Sequence, residues 1–333
     1  MTTDTLYFDA NADSVPNERA LAAYLAEARR RPGPEEAASR ARVFLDRVRT
    51  GLGASSGVVI PTRGGTRADA WALRYLVSRV EGPVHVVTTT IEHAAIADTA
   101  SLLEAEGACS VTRVAVGRHG RVDPDDIRRA MRAETQVVSV IAASNETGVL
   151  QPIREIAEVA QAAGAQMHTD AVQCIGRCHL DVDAWGVDFA SFSAHKFGGL
   201  TGLGLVWARD PDVRASDPIV STADYDLPGL AAVVAALESA TNSNLMPLRK
   251  HLEEALARIE GAEIVGKESP RLSNTTLVRF AGCEGDGLMM ALDIEGVAVS
   301  TGSACASGSI DPSPILLGMG LTREEASETI RLS

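Results

Sequence analysis

The sequence predicts an α/β protein built around a mostly parallel β-sheet. Short apolar runs rich in β-branched residues alternate with longer segments of helical period through the first two-thirds of the chain. This alternation is typical of a parallel sheet whose two faces are covered by helices. After about residue 209 the alternation is lost, which indicates a smaller α+β domain. We therefore expect a large domain at 15-240 and a small domain formed by 1-14 and 241-333.

Apolar runs in the large domain predict its strands at Val58–Pro61, Val84–Thr89, Val137–Ala142, Gln166–Thr169, Phe189–Ser193 and Leu203–Ala208. Segments of helical period between them predict helices at Ala68–Val80, Ala94–Gly107, Asp125–Ala133 and Ile153–Gly164. Asp123 followed by Pro124 is a favourable start for the third helix. After about residue 209 we expect helices at Pro228–Ala240, Met246–Glu260 and Gly285–Ile294, and strands at Ser273–Phe280 and Val297–Ser300.

The composition narrows the possible partners and locations. A net charge of -13 argues against broad binding to nucleic acid or to an anionic membrane, because either would repel the chain. No apolar run approaches the roughly 20 residues that span a bilayer, and the first residues lack the pattern of a secretory signal. The five scattered cysteines favour reduced thiols in a cytoplasm. Cys174 and Cys178 are four residues apart, but no second pair of cysteines completes a metal site. We therefore expect no structural metal ion.

Lys196 lies just beyond a predicted buried strand, in the segment Ser193-Ala194-His195-Lys196. Parallel sheets bind ligands at the carboxyl ends of their strands. A desolvated lysine there stays nucleophilic and forms imines with carbonyl cofactors. Taken alone, the segment favours a surface lysine on a glycine-rich turn.

Other predicted strands end in groups that complement Lys196. Asp170 can pair with a protonated pyridine nitrogen, although Asp is also a common helix N-cap. The turn containing Gly64, Gly65 and Thr66 offers backbone N–H groups to a phosphate, as many glycine-containing turns do. His93 can stack on a planar ring and Asn145 can hydrogen-bond a ring hydroxyl, although each is also an ordinary loop residue. Five such ends together favour one cofactor site.

Ordered motifs also carry a family resemblance. They are Glu92-His93, Asn145-Glu146-x-Gly148-Val149, Asp170-Ala171-x-Gln173, Ser193-x-His195-Lys196 and Gly302-Ser303-Ala304-Cys305. In this order they resemble the NifS/IscS-like cysteine desulfurases, which are fold-type I, class V pyridoxal-phosphate (PLP) enzymes. The resemblance covers nearly the whole chain, and the Gly-Ser-Ala-Cys segment narrows it to desulfurases. It implies a large domain with a mostly parallel seven-stranded sheet covered by helices.

The resemblance also implies a role for each matching residue. Lys196 would hold PLP as a Schiff base and remove the substrate proton, and His93 would stack on the ring. Asp170 would pair with the pyridine nitrogen, while Asn145 and Gln173 would hold the phenolic oxygen. The phosphate would be bound by Gly65, Thr66, Ser193 and His195. Arg331, with Asn145, would bind the substrate carboxylate.

The expected reaction converts L-cysteine to L-alanine, with Cys305 taking the sulfur as a persulfide for an acceptor protein or pathway enzyme. A buried, inert thiol is the alternative for Cys305, but its Gly/Ser-rich setting favours an accessible nucleophile. A related PLP lyase acting on selenocysteine, cysteine sulfinate or another β-substituted amino acid is an alternative function. A non-catalytic scaffold that binds a partner is another. We expect a homodimer, because sites of this family lie near the subunit interface.

Several departures from the family pattern are specific to this chain. Residues 206–229 lack the Arg-x-Gly-Thr motif whose threonine reaches the phosphate of the partner subunit, so that contact stays open. The first cofactor loop carries Arg63 and Arg67 where the family has Ser and Glu. Either arginine would supply charge to the phosphate in place of the missing loop, or both face solvent. The family's closing helices are also absent after Ser333.

Overall fold

The computed structural model describes residues 5–213, 225–240, 245–302 and 311–333. The strands are β1 (Leu6–Tyr7), β2 (Val58–Thr62), β3 (His85–Thr89), β4 (Ser110–Val114), β5 (Thr135–Ser139), β6 (Gln166–Asp170), β7 (Phe189–Ser193), β8 (Gly204–Ala208), β9 (Ala262–Ile264), β10 (Thr276–Phe280), β11 (Val297–Ala298), β12 (Ser300–Thr301) and β13 (Thr329–Leu332). The helices are α1 (Glu18–Ala28), α2 (Pro34–Gly51), α3 (Gly65–Ser78), α4 (Ala94–Ala105), α5 (Pro124–Ala130), α6 (Ile153–Ala162), α7 (Val182–Trp185), α8 (Leu227–Ser239), α9 (Met246–Leu256), α10 (Gly285–Ile294), α11 (Pro314–Gly318) and α12 (Arg323–Ser327).

A seven-stranded sheet in the order β2-β8-β7-β6-β5-β3-β4 forms the centre of the molecule. β8 is antiparallel to both of its neighbours, and every other pairing between adjacent strands is parallel. The predicted α/β class with a mostly parallel sheet is therefore confirmed. Because β2, β7, β6, β5 and β3 run in the same direction, their carboxyl ends meet at one edge of the sheet.

Apolar side chains pack on both faces of this sheet. Successive strand residues point to opposite faces, and Val86 and Val87 accordingly belong to two different buried clusters. The adjacent residues Phe189 and Ala190 likewise belong to different clusters, one on each face of the sheet. Strands buried on both faces read as continuous apolar runs, which is why the sequence located them.

Two smaller sheets lie beyond the large one. A four-stranded antiparallel sheet has the order β12-β13-β10-β9, and β1 pairs in parallel with β11. The predicted single strand Val297–Ser300 is therefore wrong in detail, since it divides into β11 and β12, which join different sheets. The pairing of Leu6 with Val297 brings the segment before α1 against the last third of the chain.

Four elements of the large sheet region were missing from the sequence prediction, namely β4, α1, α2 and the short helix α7. β4 is an edge strand whose side chains alternate irregularly between exposed and buried, so it lacks a continuous apolar run. α1 and α2 were also missed, although α2 buries Ala41, Phe44, Leu45 and Val48 at helical spacing. Across the described ranges, none of the helices combines the length and apolar character needed to cross a bilayer.

Candidate active site

A cavity of about 110 Å³ opens at the edge of the large sheet where the parallel strands end. Its lining comes from the loops after β2, β3, β5, β6 and β7, and from the segment after β1. The lining residues are Asn11, Gly65, Thr66, Asp69, His93, Ile141, Asn145, Asp170, Val172, Gln173, Ser193, His195 and Lys196.

Residues that the sequence singled out for a cofactor share this one cavity. Those lining it are Gly65, Thr66, His93, Asn145, Asp170, Gln173, Ser193, His195 and Lys196. Arg331 is not part of the lining, and Cys305 lies outside the described residues. Sequence reasoning missed Asn11 and Asp69, which also face the cavity.

Lys196 ends a short 3₁₀ turn, Ala194–Lys196, directly after β7. Its Nζ atom donates hydrogen bonds to the carbonyl oxygens of Asn11 at 2.8 Å and Ala12 at 2.5 Å. An ammonium group has three donors and no acceptor, so carbonyl partners suit its protonated form. Lys196 must therefore lose a proton and leave these carbonyls before it can act as a nucleophile.

The turn between β2 and α3 forms the opposite end of the cavity. A Cβ atom at Gly65 would lie 2.9 Å from Ser193 Cβ, so only glycine fits this close approach. The Gly65 N–H donates to Ser193 Oγ at 3.3 Å, and that hydroxyl lies 3.1 Å from His195 Nδ1. A helix begins here with its N–H groups and positive dipole end, an arrangement that suits an anion.

Arg63 and Arg67 flank this turn but do not line the cavity. Both side chains are exposed to solvent. This placement favours the solvent-facing alternative over a direct contact with an anion in the cavity.

Two carboxylates, Asp69 and Asp170, lie side by side in the floor of the cavity. Burial raises the pKa of Asp170, while the nearby His93 and Lys196 act to lower it. Burial, and then repulsion from Asp170, raises the pKa of Asp69 well above its usual range. Asp69 Oδ1 has no hydrogen-bond partner among the described residues. Two adjacent buried carboxylates favour binding of a cationic group.

His93 completes a cluster of charged and polar groups with these carboxylates. Ligand atoms of His93, Asp69 and Asp170 lie within 4.8 Å of one another, which is also close enough for a metal ion. The neighbouring His168 bonds to Ser139 and Ser191 at 2.9 Å each, and burial lowers the pKa of His168 to about 3. His168 is therefore neutral and does not balance the carboxylates.

Arg177 connects three segments around Lys196. Its guanidinium donates at 2.8 Å to Asn11 Oδ1 and to the carbonyl oxygens of Ala10 and Lys196, and it also donates to Gln173 Oε1. Since Arg177 occupies Gln173 Oε1, the amide nitrogen of Gln173 is left to donate elsewhere, and it bonds to the Asn11 carbonyl at 3.1 Å. Apart from Gln173, four residues away, these partners are distant in sequence, so no local pattern could have identified them.

Arg331 on β13 lies next to the cavity and is fully buried. It donates to Asp9 Oδ1 at 2.6 Å and to the Asn145 carbonyl oxygen at 3.2 Å. The guanidinium is thus held beside Asn145, which lines the cavity. Its Nε–H group makes no hydrogen bond with the described residues.

Glu92, which precedes His93, is buried beneath the cavity. Its Oε1 atom accepts from Thr89 Oγ1 at 2.5 Å and from the Ile141 N–H at 3.2 Å. Burial nevertheless raises the pKa of Glu92 to about 8. Below that pH the side chain is a neutral acid.

The stability of the cofactor-free protein should fall as pH rises because of Glu92. The pKa in the folded state, about 8, lies above the ordinary value of 4.5, so the folded protein binds the proton more tightly. The contribution is complete below pH 4.5 and is lost towards pH 8, at about 1.4 kcal/mol per pH unit. Glu92→Gln should remove this slope from the free energy of unfolding, measured with denaturant across that range. An unchanged slope would contradict the assignment, and the exposed Glu155→Gln is the matched control.

Known proteins resemble this chain over nearly its whole length. The Aminotransferase class-V family profile matches residues 34–225 and 227–333. A cysteine desulfurase IscS from Methanosarcina thermophila is 36% identical over 297 residues, covering 85% of this chain and 73% of that protein. A cysteine desulfurase IscS from Clostridium botulinum (strain Kyoto) is 38% identical over 307 residues, covering 86% of this chain and 77% of that protein.

Solved structures agree with these sequence relatives. A NifS-like protein superposes with a TM-score of 0.87 at 28% identity, covering 99% of this chain and 93% of its own. The structure titled SspA in complex with cysteine superposes with a TM-score of 0.84 at 26% identity, covering 99% of this chain and 98% of its own. The fold and its class of site are therefore shared with these proteins.

Proposed function

Because the chain belongs to the aminotransferase class-V family, and within it to the cysteine desulfurases, we propose that the cavity at the edge of the large sheet is its catalytic site. The protein is a PLP-dependent cysteine desulfurase that acts on L-cysteine and forms L-alanine. One observation carries the assignment of the site: the predicted cofactor residues, drawn from five strand ends, line a single cavity.

The donor set fits PLP at each end of the cavity. The buried pair Asp69 and Asp170 favours a cation, so Asp170 would hold the protonated pyridine nitrogen of PLP and His93 would hold its ring. Gly65 allows the close approach of this turn to Ser193, and Thr66, Ser193 and His195 would bind the phosphate. Asn145 and Gln173 would hold the phenolic oxygen. When bound, PLP supplies an electron sink for the carbon that loses its proton.

The protein side chains divide the remaining tasks. Lys196 anchors the cofactor and, as a free amine, takes the α-proton of the substrate at Nζ. Arg331, held by Asp9 and Asn145 beside the cavity, would bind the substrate carboxylate. The Cys305 thiolate attacks the substrate sulfur, the carbon–sulfur bond breaks, and Cys305 keeps the sulfur as a persulfide.

Alanine and sulfide release from L-cysteine, with PLP and a reductant, tests this assignment. Wild type should yield both products. Cys305→Ala should lose them, because no thiolate remains to accept the sulfur. The exposed Cys283→Ala is the matched control and should retain both. Alanine formation that survives in Cys305→Ala would instead favour a related β-lyase, and a protein that rejects PLP would favour a scaffold.

The environment of the reaction also belongs to this proposal. We infer a cytoplasmic homodimer that delivers the persulfide sulfur to an acceptor protein or a pathway enzyme. The reduced thiols of the described residues support a reducing compartment. We also propose that the chain forms a large domain at 15-240 and a small domain at 1-14 and 241-333. The small domain carries Cys305.

A further inference from the structure

Cys174 and Cys178 lie on one turn that follows β6, close to the cofactor cavity but outside its lining. The N–H of Cys178 donates to the Cys174 carbonyl oxygen at 3.2 Å, the i→i+4 bond of one helical turn. A rise of 1.5 Å per residue places the two Cα atoms about 6 Å apart. That separation lies within the range that disulfides span.

The two thiols have opposite environments. Cys178 is half-buried, and its thiol donates a long hydrogen bond of 3.6 Å to the Cys174 carbonyl oxygen. A hydrogen bond from the Cys174 thiol, helped by the Arg177 cation, lowers the pKa of Cys178. Cys174 is fully buried, and the same hydrogen bond together with burial raises the pKa of Cys174. A partly exposed thiol whose pKa is lowered, with a second thiol beside it, is typical of redox-sensing cysteines.

We propose that Cys174 and Cys178 form a redox-active dithiol that hydroperoxides convert to an intramolecular disulfide. The Cys178 thiolate attacks one peroxide oxygen and the O–O bond breaks. The leaving oxygen takes up a proton, and Cys178 becomes a sulfenic acid. The Cys174 thiol then attacks that sulfur, the S–O bond breaks and water leaves. Two electrons pass from the thiols to the peroxide, and a thiol reductant reverses the change.

The dithiol is connected to the cofactor site through its chain neighbours. Gln173 precedes Cys174 and lines the cavity, and Arg177 precedes Cys178 and bonds to the Lys196 carbonyl oxygen at 2.8 Å. A disulfide has a fixed geometry, so closing it changes the turn that carries both side chains. Oxidation should therefore weaken cofactor binding reversibly.

Tryptic mapping of the PLP-loaded Cys305→Ala protein tests the proposal without interference from the catalytic thiol. Trypsin cleaves after Arg177 and so separates the two cysteines into peptides 155–177 and 178–196. After hydrogen peroxide treatment, alkylation and digestion without reductant, these peptides should be recovered joined, lighter by two hydrogen atoms than their sum. Cofactor absorbance should fall in parallel and return with a thiol reductant.

Matched variants make the result decisive. Adding Cys174→Ser or Cys178→Ser should abolish the joined peptides, whereas adding Cys109→Ser or Cys283→Ser should leave them. Separate, fully alkylated peptides from a sample in which the exposed Cys283 is oxidised would overturn the dithiol. Joined peptides with unchanged cofactor absorbance would overturn its connection to the cofactor site.

Discussion

Replacing Lys196 with alanine is expected to lower kcat for alanine formation by about 10⁴-fold, the upper end of what a general base contributes. Lys196 is the amine of the cavity, and its Nζ is held by the Asn11 and Ala12 carbonyl oxygens, ready to exchange a proton. The variant removes both the covalent anchor for PLP and the proton acceptor. Single-turnover alanine formation and the visible absorption of the bound cofactor measure the two losses separately.

Two comparisons test whether the lower kcat of Lys196→Ala comes from the loss of the amine itself. The exposed Lys250→Ala should keep wild-type turnover, because it removes a lysine that lies away from the cavity. A small primary amine added to the Lys196→Ala protein should restore part of the rate by taking the proton in place of Nζ. Turnover that stays within tenfold of wild type would show that another group accepts the proton.

Asp170→Asn is expected to lower kcat by roughly 10²–10³-fold. The Asp170 carboxylate is buried at the end of β6, where a cationic ring nitrogen is its natural partner. Breaking a buried ion pair by removing one member costs about 3–5 kcal/mol, and about 1.4 kcal/mol corresponds to a factor of ten. The amide keeps the shape of the side chain but removes its charge, so the electron sink weakens. Steady-state turnover and PLP titration measure the effect.

Asp69→Asn is the matched control for this charge. Burial, and then repulsion from Asp170, raises the pKa of Asp69 well above its usual range. Burial also raises the pKa of Asp170, whereas the nearby His93 and Lys196 act to lower it. An amide there should change kcat by less than about tenfold, the size of a single neutral hydrogen bond. Equal losses in the two variants would contradict the assignment of Asp170 as the partner of the ring.

The sequence could predict the strand ends because each one follows a continuous apolar run. β7, Phe189–Ser193, was located at both ends, and Lys196 follows it directly. The glycine turn at Gly64 and Gly65 was likewise visible, since its conformation depends on the residues themselves; Gly64 has a φ of 90°. Local patterns of this kind carry the side chains that reach the cofactor.

The supporting contacts could not be predicted, because they join residues that are distant in the chain. Asn11 donates to the carbonyl oxygen of Asn145, 134 positions away, and accepts from Arg177, 166 positions away. The sequences around Asn11 and Arg177 contain no motif that indicates a binding site. Asp69 was missed for a different reason: it lies within an ordinary amphipathic helix, and only the fold brings it beside Asp170.

The ion pair between Asp9 and Arg331 has a consequence for the synthesis of the protein. These two residues are 322 positions apart, yet Asp9 holds the guanidinium proposed to receive the substrate. A ribosome adds about 5–20 residues per second, so Asp9 waits on the order of tens of seconds for its partner. A nascent chain whose large sheet is already formed therefore still lacks the guanidinium that is proposed to bind the substrate carboxylate.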